Sequence, residues 1–214
     1  MKTALTLISG ICWTAVYIDG IRVGLRDKSY AIPFYALALN VTWELIYTIY
    51  GFHHDVSLQT CINAVWFLFD IGILYTYFKF GRRESADTIQ TFGFTGWSVL
   101  VLMVSFVVEY GFFREFGAEV GAGYAAFLQN LLMSVLFIEM LTRRGNSKGQ
   151  SLLIAVNKWI GTLAPAILFG ILGNGGFPKG SFLILTLGCL CSVFDLIYIG
   201  MLSRASLRIP YKPV

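Results

Sequence analysis

The stretch Ala31-Ile-Pro-Phe-Tyr-Ala-Leu-Ala-Leu-Asn-Val-Thr-Trp-Glu-Leu-Ile-Tyr-Thr-Ile-Tyr-Gly51 is long and apolar enough to cross a bilayer, yet it carries Glu44 in its interior. A second stretch of the same kind, Val193-Phe-Asp-Leu-Ile-Tyr198, places Asp195 inside the last apolar run of the chain. An ionisable group at mid-membrane costs about 2.5–3.5 kcal/mol on insertion scales, so a chain that keeps two of them is expected to use them.

Around these stretches the composition agrees. The 214 residues are 57% hydrophobic and 13% charged, with a mean hydropathy of +0.70, which ordinary soluble domains do not show. Apolar runs of spanning length fall at 3–20, 31–51, 57–80, 92–113, 119–141, 151–172 and 181–203. The connections are short and rich in Gly, Pro, Asn, Lys and Arg, leaving no separate soluble domain. The expected fold is an all-α, multi-pass integral membrane protein, a single seven-helix transmembrane domain over residues 1–214.

Charge orients it. With these spans, one side carries Arg22, Arg26, Lys28, Lys79, Arg82, Arg83, Arg143, Arg144, Lys148, Arg204, Arg208 and Lys212, and the other only Lys2, Arg114 and Lys179. The positive-inside rule then puts the C-terminus in the cytoplasm and the N-terminus outside. The net charge of +4 reads as a topology signal, with the lipid bilayer and its anionic headgroups as partner and no nucleic acid. The first span has its basic cluster after the apolar run and no small-residue cleavage site, which argues against a cleaved signal peptide. Cys12, Cys61, Cys189 and Cys191 fall within spans and lack metal-ligand spacing, and His53-His54 are expected in a short outer loop, so no metal site is expected.

The polar groups in the spans divide into two sets. Asp19, Glu109 and Glu139 fall near span ends, where they reach headgroups or pair locally, Asp19 with Arg22 and Glu139 with Arg143. Lys158, after Asn157 in the sixth span, either snorkels or neutralises a buried acid. Glu44, Asp70 and Asp195 lie deep in their spans with no basic residue within a turn. On helical spacing Glu44 shares a face with Asn40, Tyr47 and Thr48, Asp70 with Asn63, Trp66 and Tyr77, and Asp195 with Cys191, Ser192 and Tyr198. Such stripes face a bundle interior, either as hydrogen-bonding glue or as the lining of a polar-floored pocket.

A carboxyl group desolvated in an apolar site stays protonated at neutral pH and can act as a general acid. The chain also has 34 aromatic residues, 16% of the total, among them Trp13, Tyr17, Trp43, Tyr47, Trp66 and Phe69 inside spans. Most such rings serve packing or the interfacial belt, but aromatic faces also attract cations where water is excluded. An acid that starts a carbocation and π faces that accompany it are the requirements of a protonation-initiated cyclisation.

The run Gly24-Leu-Arg-Asp-Lys-Ser-Tyr-Ala-Ile-Pro33, followed by Ala36-Leu-Ala-Leu-Asn40 and Trp43-Glu44-Leu-Ile-Tyr47, with Phe194-Asp195 and Tyr198 in the last span, closely resembles the integral-membrane terpene cyclases of fungal meroterpenoid and indole-diterpene pathways and their bacterial relatives. The resemblance implies cyclisation of the linear prenyl chain, farnesyl in the first instance, of a prenylated aromatic, indole or similar small molecule, begun by protonating a terminal alkene or an epoxide. It makes Glu44 the proton donor and Asp195 the partner that reprotonates it, tunes it or stabilises developing positive charge. Helical adjacency then sets Asn40, Tyr47 and Tyr198 beside the acids and Trp43 on the pocket wall, and Asp70 with Trp66 forms a further substrate-binding candidate. Because Glu44 falls slightly outside mid-membrane and Asp195 slightly inside it, their meeting needs a tilted helix, a water or the substrate itself.

Absences narrow the chemistry. The sequence has no Asp-Asp-x-x-Asp cluster for a diphosphate-bound metal, no Asp-x-Asp-Asp run, no phosphate loop, no Rossmann fingerprint and no paired-His zinc motif, so a reaction without cofactor or metal is expected. The implied pathway partners are an upstream prenyltransferase and, for an epoxide trigger, an epoxidase. The rival reading is a small-molecule transporter with a mid-membrane polar site. Phe69-Asp70 against Phe194-Asp195, and Asn40 against Asn157, outline a three-plus-one-plus-three internal repeat of the sort transporters use. A retinal protein is excluded, since residues 181–203 contain no lysine for a Schiff base.

Overall fold

A computed structural model describes residues 1–54, 56–85 and 93–208. Among them are six helices: α1 (Lys2–Asp27), α2 (Phe34–His54), α3 (Leu58–Phe80), α4 (Phe94–Arg144), α5 (Leu152–Ile167) and α6 (Phe182–Arg208). A short 3₁₀ turn, Gly81–Glu84, prolongs α3, and a π turn, Leu168–Leu172, prolongs α5. Lys212, counted among the basic residues of one side, lies outside the described residues.

The stretch labelled α4 covers two of the expected spans. Straight, its 51 residues would reach about 76 Å, far beyond a bilayer core. At Gly117 the backbone takes φ 76° and ψ 175°, a conformation essentially confined to glycine, and the chain doubles back. A Cβ on Gly121 would stand 2.5 Å from the carbonyl oxygen of Phe112, and the rings of Phe116 and Tyr124 lie 5.5 Å apart, so the two sides are in contact. The separate spans read at 92–113 and 119–141 correspond to the two helical arms of α4, 94–116 and 118–144, which meet at Gly117 because a single glycine makes the reversal without a loop. His53 and His54 likewise close the last turn of α2 rather than standing in a loop.

Five stretches are long and apolar enough to cross a membrane: α1, Gln59–Glu84, α4, Leu152–Leu172 and Phe182–Ala205. Helix α2 is not among them, since Asn40, Thr42, Glu44, Thr48 and the terminal histidines dilute its apolar character. Large apolar side chains such as Leu100, Met103, Val104 and Val107 on α4 and Leu190, Val193, Leu196 and Ile197 on α6 point outward. Water would penalise such a belt and lipid does not, so this is a membrane protein.

The helices pack as a closed ring, α1 on α5, α5 on α6, α6 on α4, α4 on α2, α2 on α3 and α3 on α1. At one end, three connections are tied together. Ser29 donates to Glu84 at 2.6 Å, Arg144 reaches Glu84 Oε2 and the Tyr30 carbonyl at 2.8 and 3.0 Å, and the Gly149 N–H donates to Asp27 at 2.8 Å. The Lys-Ser-Tyr loop therefore clasps α1, α3 and α4 together; Lys28 turns it in the left-handed region, and Pro33 leads into α2. At the opposite end, Lys2 Nζ donates to the Gly173 carbonyl at 2.5 Å. The ring's interior is filled by Val16, Tyr17, Leu37, Ile73, Phe137 and Tyr198.

Candidate active site

Four helices deliver one polar cluster to the ring's interior. Helix α2 supplies Asn40 and Glu44 one turn apart, α1 supplies Tyr17, α3 supplies Asp70, and the second arm of α4 supplies Gln129; all five side chains are buried. Asn40 organises them. Its amide nitrogen donates to Tyr17 Oη at 2.7 Å and to Asp70 Oδ2 at 2.7 Å, and its carbonyl oxygen accepts from Gln129 Nε2 at 3.1 Å. Both amide hydrogens are spent, which fixes the amide's orientation and leaves the Tyr17 hydroxyl proton to donate to Glu44 Oε1 at 3.4 Å.

The acids themselves are left incomplete. Glu44, 2% exposed, has no partner for Oε2, and Asp70, fully buried, has none for Oδ1. Neither makes an ion pair among the described residues. Other rings gather on Tyr17, which lies 6.1 Å from Trp13, 5.9 Å from Trp66 and 6.2 Å from Phe69, the last nearly parallel. Trp66 is anchored by its indole N–H on Thr14 at 3.1 Å, Trp43 by its own on the Ala122 carbonyl at 3.1 Å. Trp43 stacks obliquely on Tyr47 at 4.8 Å, and the Tyr47 hydroxyl has no partner.

Asp195 belongs to a different cluster. Lys158 Nζ, on α5, meets its two carboxylate oxygens at 2.8 and 3.0 Å and Ser134 Oγ, on α4, at 2.7 Å, which uses all three ammonium protons. Lys158 is 0% and Asp195 1% exposed. Of the two readings of Lys158, the geometry is that of the counter-ion. Tyr198, one turn beyond Asp195, donates to Gln150 at 2.7 Å and packs on Phe137 at 5.1 Å. The structure thus gathers Glu44, Asn40 and Asp70 in one place and gives Asp195 and Tyr198 their own partners on α4, α5 and the turn before α5.

The sequence marks Tyr17 only as one of many aromatic residues and does not single out Gln129, Ser134 or Gln150. A lone amide or hydroxyl in an apolar run is the signal available for the last three. Glu109 was placed near a span end; it is buried, with Oε2 unpaired. The local pairs of Asp19 with Arg22, at 2.6 Å, and Glu139 with Arg143, at 2.9 Å, form as expected, and Asp19 also accepts from Ser151.

Comparison with known proteins adds the family. The profile of the Pyr4-like transmembrane terpene cyclases matches residues 1–206. The Pyr4-family terpene cyclase mfmH of Annulohypoxylon moriforme is 31% identical over 79% of this chain and 70% of its own. Terpene cyclase dpchB of Colletotrichum higginsianum is 32% identical over 73% of this chain and 65% of its own, and terpene cyclase pyr4 of Aspergillus fumigatus 22% identical over 92% and 84%. No solved structure matches.

Proposed function

This chain belongs to the Pyr4-like transmembrane terpene cyclases, and from that premise we propose that it cyclises the linear prenyl chain, farnesyl in length, of a lipid-soluble prenylated aromatic, indole or similar substrate. Glu44 supplies the proton. Its O–H bond breaks as a bond forms from that hydrogen to the terminal alkene carbon, or to the oxygen of a terminal epoxide. The electron deficiency passes to a substituted carbon, neighbouring alkenes close rings onto it, and loss of a proton beside the last cation restores a neutral alkene. The product is an isomer of the substrate, so no other reactant is consumed.

The observation that carries this reading is the Glu44 carboxyl, buried, without a cation and with Oε2 unpaired. Uncompensated charge in such a place is far costlier than a neutral acid, and a neutral acid has a proton to give. Asp70, joined to the same Asn40 amide, and the Tyr17 hydroxyl offer the nearest exchangeable protons for restoring it. The rings of Trp13, Tyr17, Trp66 and Phe69 present π faces to the cation. Asp195, whose two oxygens are taken by Lys158, serves as a fixed ion pair that holds α6 to α5 and is not the proton source.

In the membrane, α2 and both arms of α4 cross together with α1, α3, α5 and α6, giving seven passes. Arg22, Arg26, Arg143, Arg144 and Lys148 mark the cytoplasmic end, and the N-terminus lies outside. The links Asn40 to Asp70 and Lys158 to Asp195 join corresponding helices of the two halves, which supports the three-plus-one-plus-three repeat. A prenyltransferase, and an epoxidase where the trigger is an epoxide, supply the substrate.

The test uses isolated membranes containing the full chain and a farnesylated phenol, with and without its terminal epoxide. A cyclase converts one of them to a product of identical mass and different retention. Gradient-dependent uptake into sealed vesicles with the compound unchanged would instead establish a transporter.

A further inference from the structure

Between α2 and the two arms of α4 lies a cavity of about 430 Å³, open on its outer side where Val108 and Leu128 are exposed, and within the range of pockets that hold small molecules. Its walls are apolar, from Leu39, Val108, Phe112 and Leu128, with two exceptions, Glu109 and Gln129. Glu109 is 1% exposed, makes no ion pair among the described residues and has no partner for Oε2. Gln129 spends its nitrogen on Asn40 and leaves Oε1 without a donor. Two buried acceptor oxygens in one greasy cavity carry a desolvation cost that a bound donor would remove.

We infer that this cavity receives the substrate's polar head: a hydroxyl or N–H group shares its one hydrogen between the Glu109 and Gln129 oxygens while the attached prenyl chain lies along Leu39, Val108, Phe112 and Leu128. The identity of that chain as an isoprenoid rests on the cyclase reading above; the preference for a hydrogen-bond donor beside an apolar chain rests on the cavity alone. An apolar lining matches the chain, and the Gln129 oxygen, an acceptor without a donor, favours a hydroxyl or N–H over an ether or ester of the same size. The placement also couples binding to chemistry. Gln129 is shared between the cavity and Asn40, and Asn40 orients Tyr17 and Asp70 beside Glu44, so a head group seated here steadies the amide on which the acid's surroundings depend.

The experiment reads binding without turnover. The full chain carrying Glu44→Gln, in phosphatidylcholine vesicles, is photolabelled with a farnesylated phenol bearing a diazirine on its chain, and separately with the O-methyl ether of the same probe. Labelling of peptides from the two arms of α4 is expected to be about tenfold stronger for the phenol, the factor a single net hydrogen bond provides. Glu109→Leu should shrink that contrast, leaving the part due to Gln129, and Glu109→Gln, which keeps an acceptor, should restore some of the loss. In the otherwise natural chain, Glu109→Leu should raise KM about tenfold and lower kcat far less. Equal labelling by phenol and ether would mark ordinary lipid contact and overturn the inference, as would a contrast that Glu109→Leu leaves undiminished. If the probe is never cyclised yet the contrast holds, the cyclase reading fails and the head-group site stands; turnover without the contrast leaves the reverse.

Discussion

Replacing Asp195 by asparagine should destabilise the protein through Lys158. In the native chain the ammonium has three acceptors, at 2.7, 2.8 and 3.0 Å, two of them on a carboxylate that also cancels its charge. Asparagine leaves one acceptor on that side and no negative charge, in a site where Lys158 has no exposure to solvent. Breaking a buried pair by removing one partner costs about 3–5 kcal/mol. For a chain of this size, about 2–4 °C accompanies each kcal/mol, so the melting temperature in mild detergent, followed by tryptophan fluorescence, should fall by roughly 6–20 °C. The double variant Lys158→Met, Asp195→Leu removes both charges together and should recover most of the loss. An Asp195→Asn protein that melts with the unaltered chain but no longer cyclises would refute the reasoning, since Asp195 would then act on substrate and not on the fold.

Asn40→Leu deletes three hydrogen bonds and releases the Asp70 carboxyl; a loss of about 1–3 kcal/mol in transition-state stabilisation should appear as a roughly tenfold to hundredfold fall in kcat in membranes. Gly117→Ala meets no atom within 4 Å, so its expected cost of about 1–3 kcal/mol is purely that of the backbone at φ 76° and should be seen as a lower melting temperature. Arg144→Lys loses the fork that binds Glu84, the Tyr30 carbonyl and the Lys148 carbonyl at once, and should render the loops at that end more sensitive to added protease.

The sequence discloses the apolar runs almost to their ends, because insertion into lipid constrains length and polarity more tightly than packing does. It does not disclose that two of them follow one another without a loop, since the reversal depends on the conformation of Gly117. The polar stripe of Asn40 and Glu44 is legible from helical spacing. That Asp70 and Tyr17 converge on it, while Asp195 turns to Lys158 instead, depends on which faces of separate helices meet, and spacing along one helix carries no such information. Glu109 illustrates the same limit: its place in the chain resembles a headgroup-facing position, and it is the packing of the folded-back α4 against α2 that buries it.

The claim that Glu44 provides the initiating proton is tested most directly by single-turnover cyclisation with Glu44→Gln, an amide of the same shape with no acidic hydrogen. The account expects a rate about 10²–10⁴ lower than that of the natural chain, with insertion and melting temperature retained. A Glu44→Gln protein that forms the ring system at the natural rate would contradict it.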